Sequence, residues 1–296
     1  MKPDQRFLQQ PKAFWATVRL VSQIVGYTDR KTKKNPDSSV KVPNLDEIAT
    51  ALSSVGLDPA HVLREPRVAN KLGELLCAYF RHRADVLNGF VKQHLMNKHE
   101  AEVEFNRLRK ELRSSRAIAM NKQKGAKRKP AYLTGIVDML IEANLGGLDC
   151  DHNPRQLTTV TKDNVPLRTL ARWVDGAFPS AVNPIAIWEI KEYYHTTTFG
   201  SRIADGVYET LLDGLELEEL REHEGIHVLH YLFVDAYNTW WDDGRSYLCK
   251  MIDTLHMGYV DEILFGREAV TRLPDLVREW IERANSLGRI DTGKAP

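Results

Sequence analysis

The sequence has few cysteines and no long apolar run. Its three cysteines, Cys77, Cys150 and Cys249, lie far apart and form no CxxC pair, which argues against a disulfide framework or a structural zinc site. No window approaches 18 consecutive apolar residues, and the first residues lack the apolar stretch of a signal peptide. We therefore expect a cytoplasmic protein without a membrane span.

Several sequence patterns of common enzyme classes are also missing. No GxSxG, Walker A or GxGxxG pattern occurs, which disfavours an acyl hydrolase, a P-loop protein and a dinucleotide-binding protein. The 41 basic and 40 acidic residues nearly cancel, so net charge alone does not indicate nucleic acid. The apolar fraction of 43% is sufficient for a hydrophobic core in a chain of 296 residues.

The basic residues are distributed unevenly along the chain. Residues 106–130 contain ten lysines and arginines and a single acid, Glu111. One interpretation is a solvated helix end with a linker. The other is a segment that binds a polyanion, because each neutralised phosphate releases counterions. We expect phosphate contacts from the end of this run, at Lys124, Lys127, Arg128 and Lys129.

The N-terminal part, residues 1–129, is predicted to be mostly helical. Residues 11–27 carry apolar side chains at helical spacing, and Asn44 with Glu47 three positions later forms a capping-box pattern. Together with the basic run, this indicates a helical, basic domain. A DNA-binding domain and a dimerisation domain remain equally open interpretations.

From residue 130 the pattern changes to alternating helices and strands. Residues 131–147 read as a helix, and 201–225 and 245–266 as further helices. Strands are predicted at 156–163, 166–176, 184–194 and 226–237, with a hairpin turn at Asp163-Asn164. The second domain, residues 130–296, is therefore predicted as an α/β core with C-terminal helices.

The predicted strand at 184–194 carries two opposite charges within an apolar run. Side chains alternate along a strand, so Glu189 and Lys191 share one face while Trp188 and Ile190 share the other. Asp175 ends the preceding predicted strand. If the two strands are neighbours, Asp175 comes close to Glu189.

Two carboxylates beside an ammonium group allow two interpretations. An ordinary salt bridge between Glu189 and Lys191 on a half-exposed strand is one. The other is a site for a hard divalent cation, since oxygen ligands select Mg²⁺ or Mn²⁺. In that case Lys191 would orient or deprotonate a water molecule and stabilise charge developing on a phosphate.

At these residues the chain resembles the PD-(D/E)XK nuclease superfamily, which includes many type II restriction endonucleases. The core of that family is a helix, a three-stranded antiparallel meander, a helix and a further strand, in the order predicted for residues 131–236. Its motif is an acid at the end of the second strand followed by E-x-K in the third. Asp175 and Glu189-Ile190-Lys191 occupy those positions, whereas Val174 stands where the family often has proline.

The resemblance implies Mg²⁺-dependent hydrolysis of DNA phosphodiester bonds, with Mn²⁺ able to substitute. It implies that Asp175, Glu189 and the carbonyl of Ile190 bind the metal and that Lys191 acts on the attacking water. The family often adds an acid from the first core helix, for which Glu142 is the expected residue and Asp138 the competitor.

The segment after the motif is rich in hydroxyl groups and leads into a predicted helix. A helix N-terminus attracts anions, so we expect phosphate contacts from Thr196, Thr197, Thr198, Ser201 and Arg202. The alternative is a loop with an N-cap at Ser201.

These observations lead to one functional expectation and two alternatives. We expect a metal-dependent endodeoxyribonuclease that cuts double-stranded DNA, of the type II restriction kind, acting as a homodimer. One alternative is a DNA-binding protein with an inactive nuclease-like core. The other is a repair or recombination nuclease, although the chain carries no ATPase motif.

Overall fold

Helices and strands are mixed in the described parts of the chain. The structure is a computed structural model that describes residues 1–8, 10–29, 39–121, 123–196 and 199–289; the side chains of Lys127 and Arg202 lie outside the description. The helices are α1 (Gln5–Leu8), α2 (Lys12–Val25), α3 (Leu45–Ser54), α4 (Lys71–Asp85), α5 (Lys92–His94), α6 (Lys98–Glu111), α7 (Tyr132–Asn144), α8 (Ser201–Glu224), α9 (Arg245–His256) and α10 (Arg267–Ser286). The strands are β1 (Leu63–Glu65), β2 (Val68–Ala69), β3 (Thr159–Lys162), β4 (Val165–Thr169), β5 (Gly176–Phe178), β6 (Ala186–Glu192), β7 (Leu229–Asp235) and β8 (Glu262–Phe265). The expected α/β class is confirmed at this level.

The chain divides into two compact units. The helical unit comprises residues 3–93 and 240–257, and the sheet unit comprises residues 1–2, 94–239 and those from 258 onward. The domain division expected at residue 129/130 falls inside the sheet unit, because α6 packs on α7 through Phe105 and Leu108. Among the described residues no helix is both long and apolar enough to cross a membrane.

The sheet unit is built on a four-stranded sheet in the order β5-β6-β7-β8. Strand β5 runs antiparallel to β6, with Gly176 opposite Trp188, while β7 and β8 continue parallel to β6. Helix α8 connects β6 to β7, as parallel neighbours require a crossover. It ends at Gly225, which adopts the left-handed conformation that glycine favours at a helix end (φ 67°). The predictions of helix α7, helix α8 and strand β7 are confirmed.

Each face of this sheet packs against a different apolar cluster. Trp188 and Phe233 lie in the larger cluster, which helices α7 and α10 complete. Ile187 faces the smaller cluster, to which α8 contributes Leu217 and Leu220. Burial on both faces explains why β6 and β7 are almost continuously apolar. The face of Ile187 also carries Glu189 and Lys191, two and four positions further along the strand.

The predicted three-stranded meander is replaced by a different arrangement. The strand expected at 166–176 is interrupted, because β4 ends at Thr169 and β5 begins only at Gly176. Strands β3 and β4 form a separate two-stranded hairpin, whose turn residues Asp163 and Asn164 have φ angles of 51° and 63°. Leu170 and Val174 insert into the smaller apolar cluster and draw the backbone out of the β4 ladder. A one-strand prediction for this segment was therefore wrong.

The helix predicted at 245–266 was also wrong in its second half. Helix α9 ends at His256, and the buried run Glu262–Phe265 forms the edge strand β8 beside β7. A short apolar run cannot by itself be distinguished from a continuing buried helix. Pairing with strand β7 makes this run a strand.

The helical unit has its own apolar core. Helices α2, α3 and α4 bury Trp15, Ile48 and Phe80 against one another. The predicted capping box is present, since the side chain of Asn44 accepts from the amide of Glu47 and the Glu47 carboxylate accepts from the amide of Asn44. The pattern at 11–27 likewise forms α2.

Candidate active site

Strand β6 delivers two charged side chains into a buried position. Glu189 is 1% exposed and Lys191 is 5% exposed. The Nζ atom of Lys191 donates to Oε2 of Glu189 at 2.7 Å. The strand alternation that brings them together is the one expected from the sequence.

Asp175 faces this pair from the start of β5. Its backbone amide donates to the carbonyl of Trp188 at 3.1 Å, and its Oδ2 accepts from the amide of Ile190 at 2.9 Å. Both bonds fix Asp175 beside the segment of β6 that carries Glu189. The structure therefore brings Asp175, Glu189, Ile190 and Lys191 together.

Lys191 is held in its charged form by its neighbours. Burial alone would lower its pKa, but the charges of Glu189 and Asp175 outweigh burial and raise that pKa above its usual range. Helix α8 passes close to the lysine at Gly206, where an added methyl group would lie 3.4 Å from Cδ of Lys191. The lysine is therefore a fixed cation in a narrow space.

An arginine that the sequence analysis did not single out connects three acids at this site. Arg172 lies in the irregular segment between β4 and β5. Its Nη1 is 2.6 Å from Asp213 Oδ2 and 3.1 Å from Glu189 Oε1, and its Nη2 is 3.1 Å from Glu209 Oε2. Glu209 also accepts from Lys191 Nζ at 3.3 Å. Four carboxylates and two cations thus share the site, with Asp175 as the fourth acid.

Asp213 is the most deeply buried acid of the group. Its side chain is 0% exposed, and its Oδ1 has no hydrogen-bond partner in the described part of the chain. Burial raises the pKa of Asp213 to about 7, and the charge of Glu189 adds to this rise while Arg172 opposes it. The only sequence signal for Glu209 and Asp213 is their spacing of four, which places both on one face of α8.

Glu142, the further metal ligand that the resemblance implied, lies elsewhere on α7. Its side chain is 53% exposed and pairs with Arg116 at 3.4 Å. Asp138, its competitor, lies 3.0 Å from Nδ1 of His152. Each of the two acids therefore has a partner of its own, Arg116 for Glu142 and His152 for Asp138.

Two carboxylates of this site, those of Asp175 and Glu189, are candidate ligands for a magnesium ion. Within the described ranges, no three side chains of His, Cys, Asp or Glu converge on a possible metal position. Magnesium commonly uses only one or two carboxylates and keeps water and substrate phosphate as its other ligands. Oε1 of Glu189 is buried without a hydrogen bond of good geometry, although Arg172 lies 3.1 Å away. Asp175 and Glu189, with the carbonyl of Ile190, are the groups of this site that could hold Mg²⁺.

The expected phosphate contacts after the motif are described only in part. Thr196 is exposed, and Thr197 and Thr198 lie outside the described residues. Ser201 is the exposed first residue of α8, and Gly200 rather than Ser201 is its N-cap. Arg202 follows in α8, but its side chain is outside the description.

The end of the basic run lies on the surface of the sheet unit. Lys124, Arg128 and Lys129 are exposed, while Lys127 belongs to a short 3₁₀ turn and its side chain is not described. The amide of Lys129 donates to Oδ1 of Asn121 at 3.0 Å, which orders the backbone here. Because the side chains of Lys124, Arg128 and Lys129 are exposed, they can contact a polyanion.

Comparison with known proteins assigns the sheet unit to a family. The family model described as Domain of unknown function (DUF7687) matches residues 96–280, more than half of the chain. The chain belongs to this family. Every residue of the site described above, from Arg172 to Asp213, lies within the matched range.

The remaining comparisons add one further match. A second family model, Domain of unknown function (DUF7690), matches residues 1–90, which correspond closely to the first segment of the helical unit. No curated protein and no solved structure matches the chain.

Proposed function

We propose that this DUF7687 protein is a metal-dependent endodeoxyribonuclease that hydrolyses phosphodiester bonds of double-stranded DNA, of the type II restriction kind. The observation that carries the proposal is the joint placement of Asp175, Glu189 and Lys191 on the neighbouring strands β5 and β6. The order of β5, β6, α8 and β7 also supports it, since it matches the last two meander strands, the helix and the further strand of the core that the sequence resembles, whereas β3 and β4 form a separate hairpin in place of the first meander strand.

The metal would be held by Asp175 and Glu189, with the carbonyl of Ile190. A bound Mg²⁺ polarises the scissile phosphate and lowers the pKa of a bound water molecule. The protein groups then have separate tasks. The two carboxylates would hold the ion, and through it the reacting phosphate, beside Lys191, and Glu189 itself is almost fully shielded from bulk water.

Lys191 lies beside both proposed metal ligands. In the protein alone the charges of Glu189 and Asp175 raise its pKa. Next to a bound ion the lysine would orient or help deprotonate the attacking water and would stabilise the negative charge that develops on the phosphate.

Arg172 favours the alternative of a DNA-binding protein with an inactive core. Its guanidinium already neutralises Glu189, so a metal ion must compete with it for this carboxylate. Retention of Asp175, Glu189 and Lys191 in one site favours the enzyme, and the exposed cations of the basic run suit DNA in both cases. A cytoplasmic location and a homodimer, in which two sites address two strands, complete the proposal.

The test is incubation of the purified protein with unmethylated phage DNA and Mg²⁺, beside a reaction with EDTA. Discrete fragments that disappear with EDTA are the expected result. A smear that also needs Mg²⁺ would instead favour a repair or degradation nuclease. Intact DNA, together with salt-sensitive DNA binding, would favour the inactive binding protein.

A further inference from the structure

One tryptophan of the sheet unit is exposed to solvent. Trp173 is 53% exposed, whereas the other five tryptophans, all within the described residues, are at most 3% exposed. A solvent-exposed indole presents a large apolar ring that the folded chain does not use in its core. No ring stacking or cation contact with it is found in the described part of the chain.

The backbone that carries Trp173 is anchored on both sides. The amide of Ala171 donates to Oε2 of Glu216 at 3.1 Å, and Arg172 binds three carboxylates. On the other side, Val174 is buried in the smaller apolar cluster and Asp175 is bonded to strand β6. Trp173 is therefore an exposed ring on a fixed support, and not the end of a loose loop.

The position of Trp173 relative to the proposed catalytic groups suggests its ligand. Two residues of extended chain span about 7 Å, so the backbone of Trp173 lies within about that distance of Asp175. A nucleotide whose phosphate lay at the proposed metal position beside Asp175 and Glu189 would have its own or the next base within reach of the segment that carries Trp173. Aromatic side chains bind nucleic-acid bases by stacking on their faces, with little dependence on base identity.

Stacking on the face of a base requires that the base be unpaired or turned out. Inside a duplex both faces of each base are covered by its neighbours, and exposing one face costs unstacking energy. We propose that Trp173 stacks on an unpaired base next to the scissile phosphate, so that within double-stranded DNA the site prefers a phosphate beside an unpaired nucleotide, at an overhang or a distorted position. This inference rests on the proposed function and specifies its substrate class.

The single exposed indole provides a direct measurement. Protein fluorescence is titrated with a short single-stranded oligodeoxynucleotide and with the blunt duplex of the same sequence, in Ca²⁺, which takes oxygen ligands as Mg²⁺ does. Gel analysis verifies that the DNA stays intact. We expect the single strand to quench the emission of the exposed indole, and Trp173→Ala to weaken single-strand binding about tenfold. Trp173→Phe, which keeps a ring, should retain most of the affinity, and binding of the blunt duplex should change less than about threefold in either variant.

Two results would overturn the inference while leaving the proposed function intact. One is wild-type affinity of Trp173→Ala for the single strand. The other is an equal loss of affinity for the single strand and the blunt duplex. If the wild-type protein binds neither DNA, the proposed function fails as well. Unchanged melting temperatures of both variants establish that the comparison concerns folded protein.

Discussion

Oδ2 of Asp175 accepts a hydrogen bond at 2.9 Å from the backbone amide of Ile190, the residue between Glu189 and Lys191. This bond joins the acid at the start of β5 to the charged segment of β6. The charge of Asp175 is also close enough to raise the pKa of Lys191. This hydrogen bond holds Asp175 beside Glu189, and these are the two residues proposed to bind the metal.

Asp175→Asn tests this position without removing the bond to Ile190. An asparagine carbonyl can still accept from that amide, but the negative charge that attracts a divalent ion is lost. We expect the dissociation constant for Mn²⁺, measured by calorimetry, to rise by about tenfold or more. Asp163→Asn is the matched control, since Asp163 is an exposed acid in a turn that asparagine tolerates. Equal Mn²⁺ affinity in wild type and Asp175→Asn would contradict the assignment.

Glu142→Gln belongs in the same series of measurements. Its carboxylate is 53% exposed and pairs with Arg116, so we expect its loss to change Mn²⁺ affinity by less than about threefold. A loss as large as that of Asp175→Asn would instead support Glu142 as the further ligand that the resemblance implied.

Gly176→Ala tests how the site is supported from the opposite face of the sheet. A Cβ atom at Gly176 would overlap the indole of Trp188, which is fully buried and stacked on Trp280 at a centroid distance of 5.4 Å. Because neither ring can move easily, we expect a loss of about 2 kcal/mol or more in the free energy of unfolding, measured with urea. Gly89→Ala is the control, since a methyl group added at Gly89 would meet no atom within 4 Å. A free energy of unfolding of Gly176→Ala close to that of Gly89→Ala would contradict the close packing of Trp188 against Gly176.

The buried carboxyl group of Asp235 should make the stability of the protein depend on pH. Burial raises its pKa to about 7, even though Tyr194, Ala236 and Met96 donate hydrogen bonds to it. Since the folded-state pKa exceeds the unfolded one, the protonated acid is stabilising at low pH. That stability is complete below about pH 4 and is lost as the pH rises towards 7. We expect this group to lower the free energy of unfolding by about 2–4 kcal/mol over the range.

Asp235→Asn isolates this contribution. Its carbonyl can accept from Met96 and Ala236 as Oδ1 of the aspartate does, but it does not ionise. The measurement is urea unfolding between pH 4 and 8. The variant should lose a distinct part of the pH dependence, and an unchanged pH profile would contradict the buried, raised pKa of Asp235.

Sequence predicted the centre of the site better than its surroundings. The alternation of β6 was enough to pair Glu189 with Lys191, and the order of strands was enough to bring Asp175 beside them, because both follow from local strand geometry. The sequence also predicted helices α7 and α8 and strand β7, because their apolar patterns are long and end at clear turn residues such as Gly225.

The features that were missed depend on contacts distant in sequence. Arg172 lies in the irregular segment after β4, and its partners Glu209 and Asp213 are acids of α8 about forty positions later. Nothing near Arg172 in the sequence indicates this. Strand β8 was read as helix because its four buried residues have no period of their own, and only pairing with β7 makes them a strand.

The most direct test of the central claim compares two lysines in one cleavage assay. The rate of Mg²⁺-dependent cleavage of a labelled DNA duplex is measured for wild type, Lys191→Gln and Lys162→Gln, with melting temperatures to verify folding. Lys162 is an exposed lysine of β3 in the same unit and controls for loss of charge. We predict a loss of about a hundredfold or more for Lys191→Gln and a rate within about twofold of wild type for Lys162→Gln. Wild-type cleavage by folded Lys191→Gln, or no cleavage by wild type in Mg²⁺ or Mn²⁺, would contradict the account.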